Sequence, residues 1–259
     1  MELVVNQIYN MDCRDGLKKI ECNSIDQILT DPPYGIRYGL NEGLNNRSKD
    51  GILPGYVDIP FSIYSEFSKE WIEDSFRVLK DTGTLYIVSG WQSYPILYRC
   101  VEEAGFTILN MLAWHYQFGK YTKNKFVTAF NPIIFAVKNP KKYKFYRNCR
   151  FSDDERTSNG NKANYKDRES VFYVSKERWE DKITTPTKLP FDLLEKMIQY
   201  SSLEDDLILD PFMGSGQTAW VARELGRQYI GFEVNNEFCE FAKKRLETNQ
   251  YTIPIKKAA

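Results

Sequence analysis

Short aliphatic runs alternating with amphipathic stretches constrain this chain more than any other feature. A strand buried between two layers of helices reads as a nearly continuous apolar run, whereas the covering helices carry apolar residues only every third or fourth position. Segments 24–30 (SIDQILT), 84–89 (TLYIVS), 106–114 (FTILNMLAW), 132–138 (PIIFAVK), 207–209 and 228–232 read as strands. Segments 61–79, 95–104, 191–200, 218–225 and 237–246 read as helices, and in the first of these Phe67, Trp71, Ile72, Phe76 and Leu79 recur at helical spacing. Thr82-Gly83 is expected to turn the chain into its second strand, Gly105 to stop a helix, and the runs 106–114 and 132–138 to pair as an edge hairpin. The whole pattern predicts an α/β fold with a doubly wound, mostly parallel sheet.

From 141 to 183 the alternation gives way to polar and aromatic sequence too long for a simple connection, which is read as an insertion. With 42% hydrophobic and 27% charged residues the chain is neither disordered nor rod-like. Thirty-five basic residues balance thirty-five acidic ones, so a nucleic-acid surface has to be a local patch. Five cysteines without a C-x-x-C pair suit reduced thiols, and a single histidine, His115, leaves no histidine-rich metal centre; no metal is expected. No apolar run reaches the ~20 residues of a membrane span and the start lacks the plan of a signal peptide, so the expected address is the cytoplasm, with no membrane partner.

Residues 207–219 read LILDPFMGSGQTA: an apolar strand, Asp210 at its carboxyl end, then Pro211, Phe212, Gly214, Ser215 and Gly216 leading into a helix that carries Thr218. In a doubly wound sheet such a turn lets a cofactor approach the backbone at a positively polarised helix start. Seventeen residues past Gly216, Glu233 closes the next strand, where a carboxylate can accept from ribose hydroxyls. The same turn also fits the G-x-G-x-x-A dinucleotide fingerprint, so a nicotinamide cofactor stays open on this segment alone.

Asp31-Pro32-Pro33-Tyr34, followed by Gly35, sits at the end of the SIDQILT strand. As a bare tetrapeptide it can be only a turn. Its chemical reading starts from the weak nucleophilicity of an exocyclic base amine, whose lone pair is delocalised into the ring. Asp31 can accept one N–H and the Pro32 carbonyl the other, which draws the nitrogen toward a geometry with a localised lone pair. Two prolines stiffen the loop, and Tyr34 offers a face on which an extruded base can stack. The matching electrophile is the methyl group of S-adenosylmethionine, carried at the glycine turn. None of the cysteines follows a proline, as the nucleophilic cysteine of a ring-carbon methyltransferase typically does.

DPPY near the start and DPFMGSG near the end together resemble the amino-methyltransferases of DNA, and in particular the β-class, whose order is catalytic motif, target-recognition insertion, cofactor motif. The resemblance runs from about Val5 to Glu247. It implies the seven-stranded, circularly permuted sheet of the S-adenosylmethionine-dependent methyltransferases. The catalytic half would then be 1–140, the target-recognition insertion 141–183 and the cofactor half 184–259. It implies catalytic Asp31, Pro32, Pro33 and Tyr34, and a cofactor site of Asp31, Asp210, Pro211, Phe212, Gly214, Ser215, Gly216, Thr218 and Glu233. Asp12 of YNMDC matches the acid that holds the cofactor adenine, with helix N-capping as its alternative. Thr187 and Lys188 stand near the family's methionine-carboxylate position, although here a threonine replaces the usual histidine and the lysine is displaced by one.

The resemblance further implies double-stranded DNA as partner, with single-stranded DNA or RNA as alternatives, a homodimer, and a cognate restriction endonuclease acting separately in a bacterial, archaeal or phage setting. Aspartate at the first motif position favours adenine N6, whereas serine is commoner in cytosine-N4 members, so both bases stay open. Between 119 and 150 there are nine Lys or Arg and no acid, interleaved with aromatics, a composition that can track phosphates and stack on bases. Arg37, Tyr38, Lys120, Tyr121, Lys123 and Lys125 are the expected DNA contacts beside the catalytic half, and Lys162, Lys166 and Arg168 those of the insertion. A nicotinamide-dependent oxidoreductase would leave DPPY idle, and a non-catalytic nucleic-acid-binding module would leave the glycine turn idle.

Overall fold

The computed structural model describes residues 3–35, 59–117, 122–177 and 188–247. Among these residues eight strands form one sheet: β1 (Gln7–Asn10), β2 (Ile25–Thr30), β3 (Leu79–Val88), β4 (Thr107–His115), β5 (Phe130–Val137), β6 (Val171–Tyr173), β7 (Leu207–Asp210) and β8 (Gln228–Glu233). Their order is β1-β8-β7-β2-β3-β5-β4-β6, and only β5 runs against its neighbours β3 and β4. Helices α1 (Cys13–Leu17), α2 (Tyr64–Val78) and α3 (Tyr94–Glu103) bury Leu17, Trp71, Ile72 and Leu97 against one face. Helices α5 (Phe191–Ser201), α6 (Gln217–Glu224) and α7 (Asn236–Glu247) bury Leu193, Met197, Trp220 and Ala242 against the other. Layers on both faces leave every residue of β2 buried, Asp26 and Gln27 included, which is why that strand shows no alternation of buried and exposed positions.

Three expectations change. Strand β3 begins at Leu79, so Thr82-Gly83 lies inside it; the irregularity falls instead in its register with β2, between Ile25 and Gln27. The β4–β5 hairpin is not an edge, because the sheet has an eighth strand, β6, parallel to β4 outside it. That strand comes from the segment read as an insertion, together with the short helix α4 (Ala163–Asp167). The run before α4 is anchored to the body of the fold. Lys144 reaches Asp26 at 2.9 Å and Asp206 at 2.8 Å, the Phe145 ring stacks on Tyr200 at 5.2 Å, and the Tyr146 amide donates to the Tyr200 carbonyl at 2.8 Å. All five cysteines are free thiols, and no helix among the described residues is long and apolar enough to cross a membrane.

Candidate active site

Strands β2 and β7 pair in parallel, Gln27 with Ile208 and Ile28 with Leu209, so both motifs leave the sheet at the same rim. Each strand ends there because proline follows the aspartate and supplies no amide for a further ladder bond. One buried hydrogen bond ties the two ends together: the Thr30 hydroxyl donates to Asp210 Oδ1 at 2.6 Å. Asp210 also accepts from the Phe212 amide at 3.0 Å. Burial pushes its carboxyl above the usual carboxylate range, with Thr30, Thr218 and the Phe212 amide pulling the other way. Asp210 therefore serves as an internal brace between the two loops, and Thr218 in the first turn of α6 belongs to the same brace.

Asp31, the next residue after Thr30, is half-buried with its Oδ1 shut off from solvent. The loop behind it is held by Tyr64, wholly buried, whose hydroxyl donates to the Pro33 carbonyl at 2.7 Å. The Tyr34 ring lies against Gly90 just past β3, where a β-carbon would come within 3.1 Å of it, and its hydroxyl accepts from Asn131 Nδ2 at 3.3 Å. Tyr34 thus stands between the ends of β3 and β5, on the side of Asp31 away from β7.

On the other side the glycine turn is built for close approach. Gly214 has φ +52° and a β-carbon added there would meet nothing within 4 Å, so the backbone borders open space. Gly216, at φ +79°, caps α6 so close to α7 that a β-carbon would sit 2.9 Å from that of Ala242. Glu233 Oε2 accepts from the Gly214 amide at 2.8 Å and Oε1 from the Asn235 amide at 2.7 Å. Burial raises the Glu233 carboxyl, and these two amides oppose the rise. The Phe212 ring is clamped by Trp71 at 5.2 Å and Phe67 at 5.9 Å, which fixes the turn against α2. From behind, Arg245 donates to the Ser215 carbonyl at 2.9 Å and to Gln217 Oε1.

Asp12 stands at the same rim beside Glu233, where the Met11 amide donates to the Glu233 carbonyl at 3.1 Å. It caps α1, accepting from the Arg14 amide at 2.9 Å, and its carboxylate takes two further bonds from the Arg14 guanidinium, which hold its pKa low. The N-capping alternative is therefore realised. Lys188 is buried with its ammonium 2.9 Å from Glu177, whose other oxygen accepts from the Phe191 amide at 2.6 Å, so Lys188 anchors the start of α5. Thr187, Arg37, Tyr38, Lys120 and Tyr121 lie outside the described residues.

The basic run does not form one stripe. Val137 pairs with Thr84 near the start of the sheet's parallel strands, so everything from Lys138 onward leaves from the rim opposite Asp31. There Lys138 donates to Asn23 and the Leu79 carbonyl, Lys142 pairs with Asp81, and Lys144 with Asp26 and Asp206; farther along, Arg150 pairs with Asp167 and Glu195. Those cations hold the fold together, which corrects the expectation of a continuous phosphate track. Lys123 and Lys125, exposed in the β4–β5 loop, remain at the Asp31 rim. In the α4 region Lys166 pairs with Glu169 and Arg168 bonds the Asn164 carbonyl, while Lys162 is exposed before the helix. Thr30, Tyr64, Asn131 and Arg245 were not singled out from sequence. Only Thr30, adjacent to the motif, carried a local signal; the others come from distant segments.

A family model described as DNA methylase, of the N6 and N4 type, matches residues 25–244. The type II methyltransferase M.HpaI of Haemophilus parainfluenzae is 34% identical over 247 residues, covering 90% of this chain and 71% of its own. The type II methyltransferase M2.DpnII of Streptococcus pneumoniae is 34% identical over 243 residues, covering 91% of this chain and 87% of its own. Among solved structures, the M1.HpyAVI–SAM complex superposes with a TM-score of 0.66 at 23% identity, over 93% of this chain and 98% of that one, a likeness of fold.

Proposed function

The chain belongs to the N6/N4 family of DNA methylases, and from that premise we propose that it methylates the exocyclic N6 of adenine within a short recognition sequence in double-stranded DNA. Its methyl donor is S-adenosylmethionine, as for the family. The observation that carries the reading is the Thr30–Asp210 hydrogen bond: a contact of 2.6 Å couples the amine-activating loop to the cofactor turn across adjacent parallel strands.

The residues of the turn fit the donor. The open face at Gly214 accepts a bulky group against the backbone, and Glu233, with lone pairs left after its two amide bonds, suits ribose hydroxyls. In this reading Asp210 to Gly216 and Thr218 form the surrounding cradle, with Asp12 at its adenine end and Lys188 toward the methionine end. When bound, S-adenosylmethionine supplies an electrophilic methyl group. On the opposite side Asp31 accepts one N–H of the target amine and the Pro32 carbonyl the other, which localises the nitrogen lone pair. Tyr64 occupies the Pro33 carbonyl, so the neighbouring acceptor does not compete. Asp31 then takes the proton that the nitrogen sheds once it has gained a methyl group. This requires the base outside the helix, stacked on Tyr34.

Asp31 at the first motif position supports adenine over cytosine N4. The experiment is methylation of a defined plasmid followed by base-resolved mapping. N6-methyladenine at one short site is expected, and N4-methylcytosine would overturn the base assignment. Asp31→Ala should abolish transfer while calorimetry with S-adenosylhomocysteine still shows binding; near-native turnover would refute the role of Asp31.

A further inference from the structure

The rim that carries Asp31 also carries a segment for which the chemistry above has no use. Residues 122–129 connect toward β5 after β4, and β4 and β5 meet at this rim with His115 opposite Phe130. The Thr122 hydroxyl donates to the Lys125 carbonyl at 2.5 Å, closing a tight bend. Directly after it Phe126 is 99% exposed, and Val127 and Phe130 are also exposed. A fully solvated phenyl ring directly after Lys123 and Lys125, and this close to a catalytic loop, is uneconomical for a folded surface.

Its foot is joined to the active site. The Tyr116 amide donates to the Ala129 carbonyl at 2.9 Å, and Asn131, five residues beyond Phe126, bonds the Tyr34 hydroxyl at 3.3 Å. Five residues span at most about 17 Å of extended chain, which bounds the reach from Asn131 to Phe126. A base extruded onto Tyr34 leaves a gap in the duplex within such a reach. An apolar ring is the chemistry that fills a gap between stacked bases, and the two ammonium groups just before it in the chain match neighbouring phosphates.

We infer that the 122–129 loop is a wedge, in which Phe126 enters the base stack at the vacated target position while Lys123 and Lys125 engage the adjacent phosphates. The partner is a DNA duplex, and the inference rests on the methyltransferase reading above. The loop thereby lowers the cost of extruding the base, a cost that is smallest for a base already unpaired.

The test compares Phe126→Ala and Phe126→Leu with the unaltered enzyme on three forms of one recognition site: fully paired, with the target base mispaired, and single-stranded. On paired duplex Phe126→Ala should lower kcat/KM by about 10-fold or more, given an unstacking cost of this class. Phe126→Leu should recover most of that, and 2-aminopurine at the target position should brighten less with the alanine variant. On mispaired or single-stranded sites the two variants should match the unaltered enzyme within about 2-fold, because no stacked pair has to be opened. Equal losses on all three substrates, or no loss on paired duplex, would overturn the wedge. Absence of any methylation by the unaltered enzyme would instead count against the underlying reading, and unchanged S-adenosylhomocysteine affinity in the variants separates the wedge from damage to the cofactor turn.

Discussion

Replacing Thr30 by valine tests the brace between the two motifs with almost no change of volume, since the two side chains differ by a hydroxyl for a methyl. The lost interaction is a 2.6 Å bond to a carboxylate oxygen on a residue only 3% exposed. A hydrogen bond to a charged group is worth about 1.5–3 kcal/mol, and Asp210 keeps its Phe212 amide partner, so the loss should fall inside that range. At about 2–4 °C per kcal/mol for a domain of this size, Tm should drop by about 3–12 °C. The pH dependence has a definite sign. The Thr30 hydroxyl helps hold the Asp210 carboxyl down, so its removal raises that carboxyl further. The deficit is then full at a pH above the folded-state pKa of Asp210, where the carboxylate is ionised, and shrinks as the pH falls through that pKa and the group becomes neutral. Differential scanning fluorimetry from pH 4 to 8 gives the stability arm. Steady-state methylation gives the other: kcat should fall while S-adenosylhomocysteine affinity changes little, and Thr30→Ser should restore both. A valine variant with unaltered Tm and kcat would refute the claim that this bond aligns the two loops.

Lys123→Ala with Lys125→Ala should reduce the slope of log K for DNA against log salt by about 2, whereas Lys142→Ala, whose ammonium pairs with Asp81 at the far rim, should leave it unchanged; fluorescence anisotropy across a salt series reads both. Gly214→Leu places a side chain in the open cradle at a backbone φ of +52°, so it should cost about 1–2 kcal/mol of stability and abolish S-adenosylhomocysteine binding by calorimetry. Retained binding would place the cofactor elsewhere. Burial opposes ionisation of Asp26, but its bonds to Lys80 and Lys144 prevail and hold its pKa low. A depressed carboxyl contributes stability above its unfolded pKa and loses it as pH falls through the folded one, so Lys144→Met should move the acid limb of the urea-midpoint profile to higher pH.

The alternating pattern was legible in the chain because burial on both faces of a parallel sheet leaves a direct imprint on sequence: every position of β2 is buried, and Ile25, Ile28 and Leu29 show it, while the buried Asp26 and Gln27 are polar residues whose partners come from elsewhere in the fold. Elements near 61–79, 95–104, 191–200 and 218–225 lie within a few residues of α2, α3, α5 and α6 for the same reason. β6 left no such imprint. It has three residues and only Phe172 among them is buried, so its place is set by pairing with β4 rather than by its own hydrophobicity. The basic run misled for a related reason: composition counts cations but says nothing of the carboxylates that meet them, and Asp26, Asp81, Glu195 and Asp206 lie far along the chain from the residues they neutralise.

Local chemistry, then, was written in the chain itself: an acid and two prolines after one buried strand, an acid and two glycines after another, each dictating a turn of particular shape. Which rim those turns share, and that Thr30, just before the first motif, joins it to Asp210 of the second, became decidable only once β2 lay beside β7, because residues 180 positions apart acquire a mutual distance only from the sheet. The same holds for Tyr64 behind Pro33 and Arg245 behind Ser215, whose side chains are buried donors with no local pattern to announce them. A hydrogen bond depends on separation in space, and for partners this remote in sequence that separation is a property of the packed fold alone.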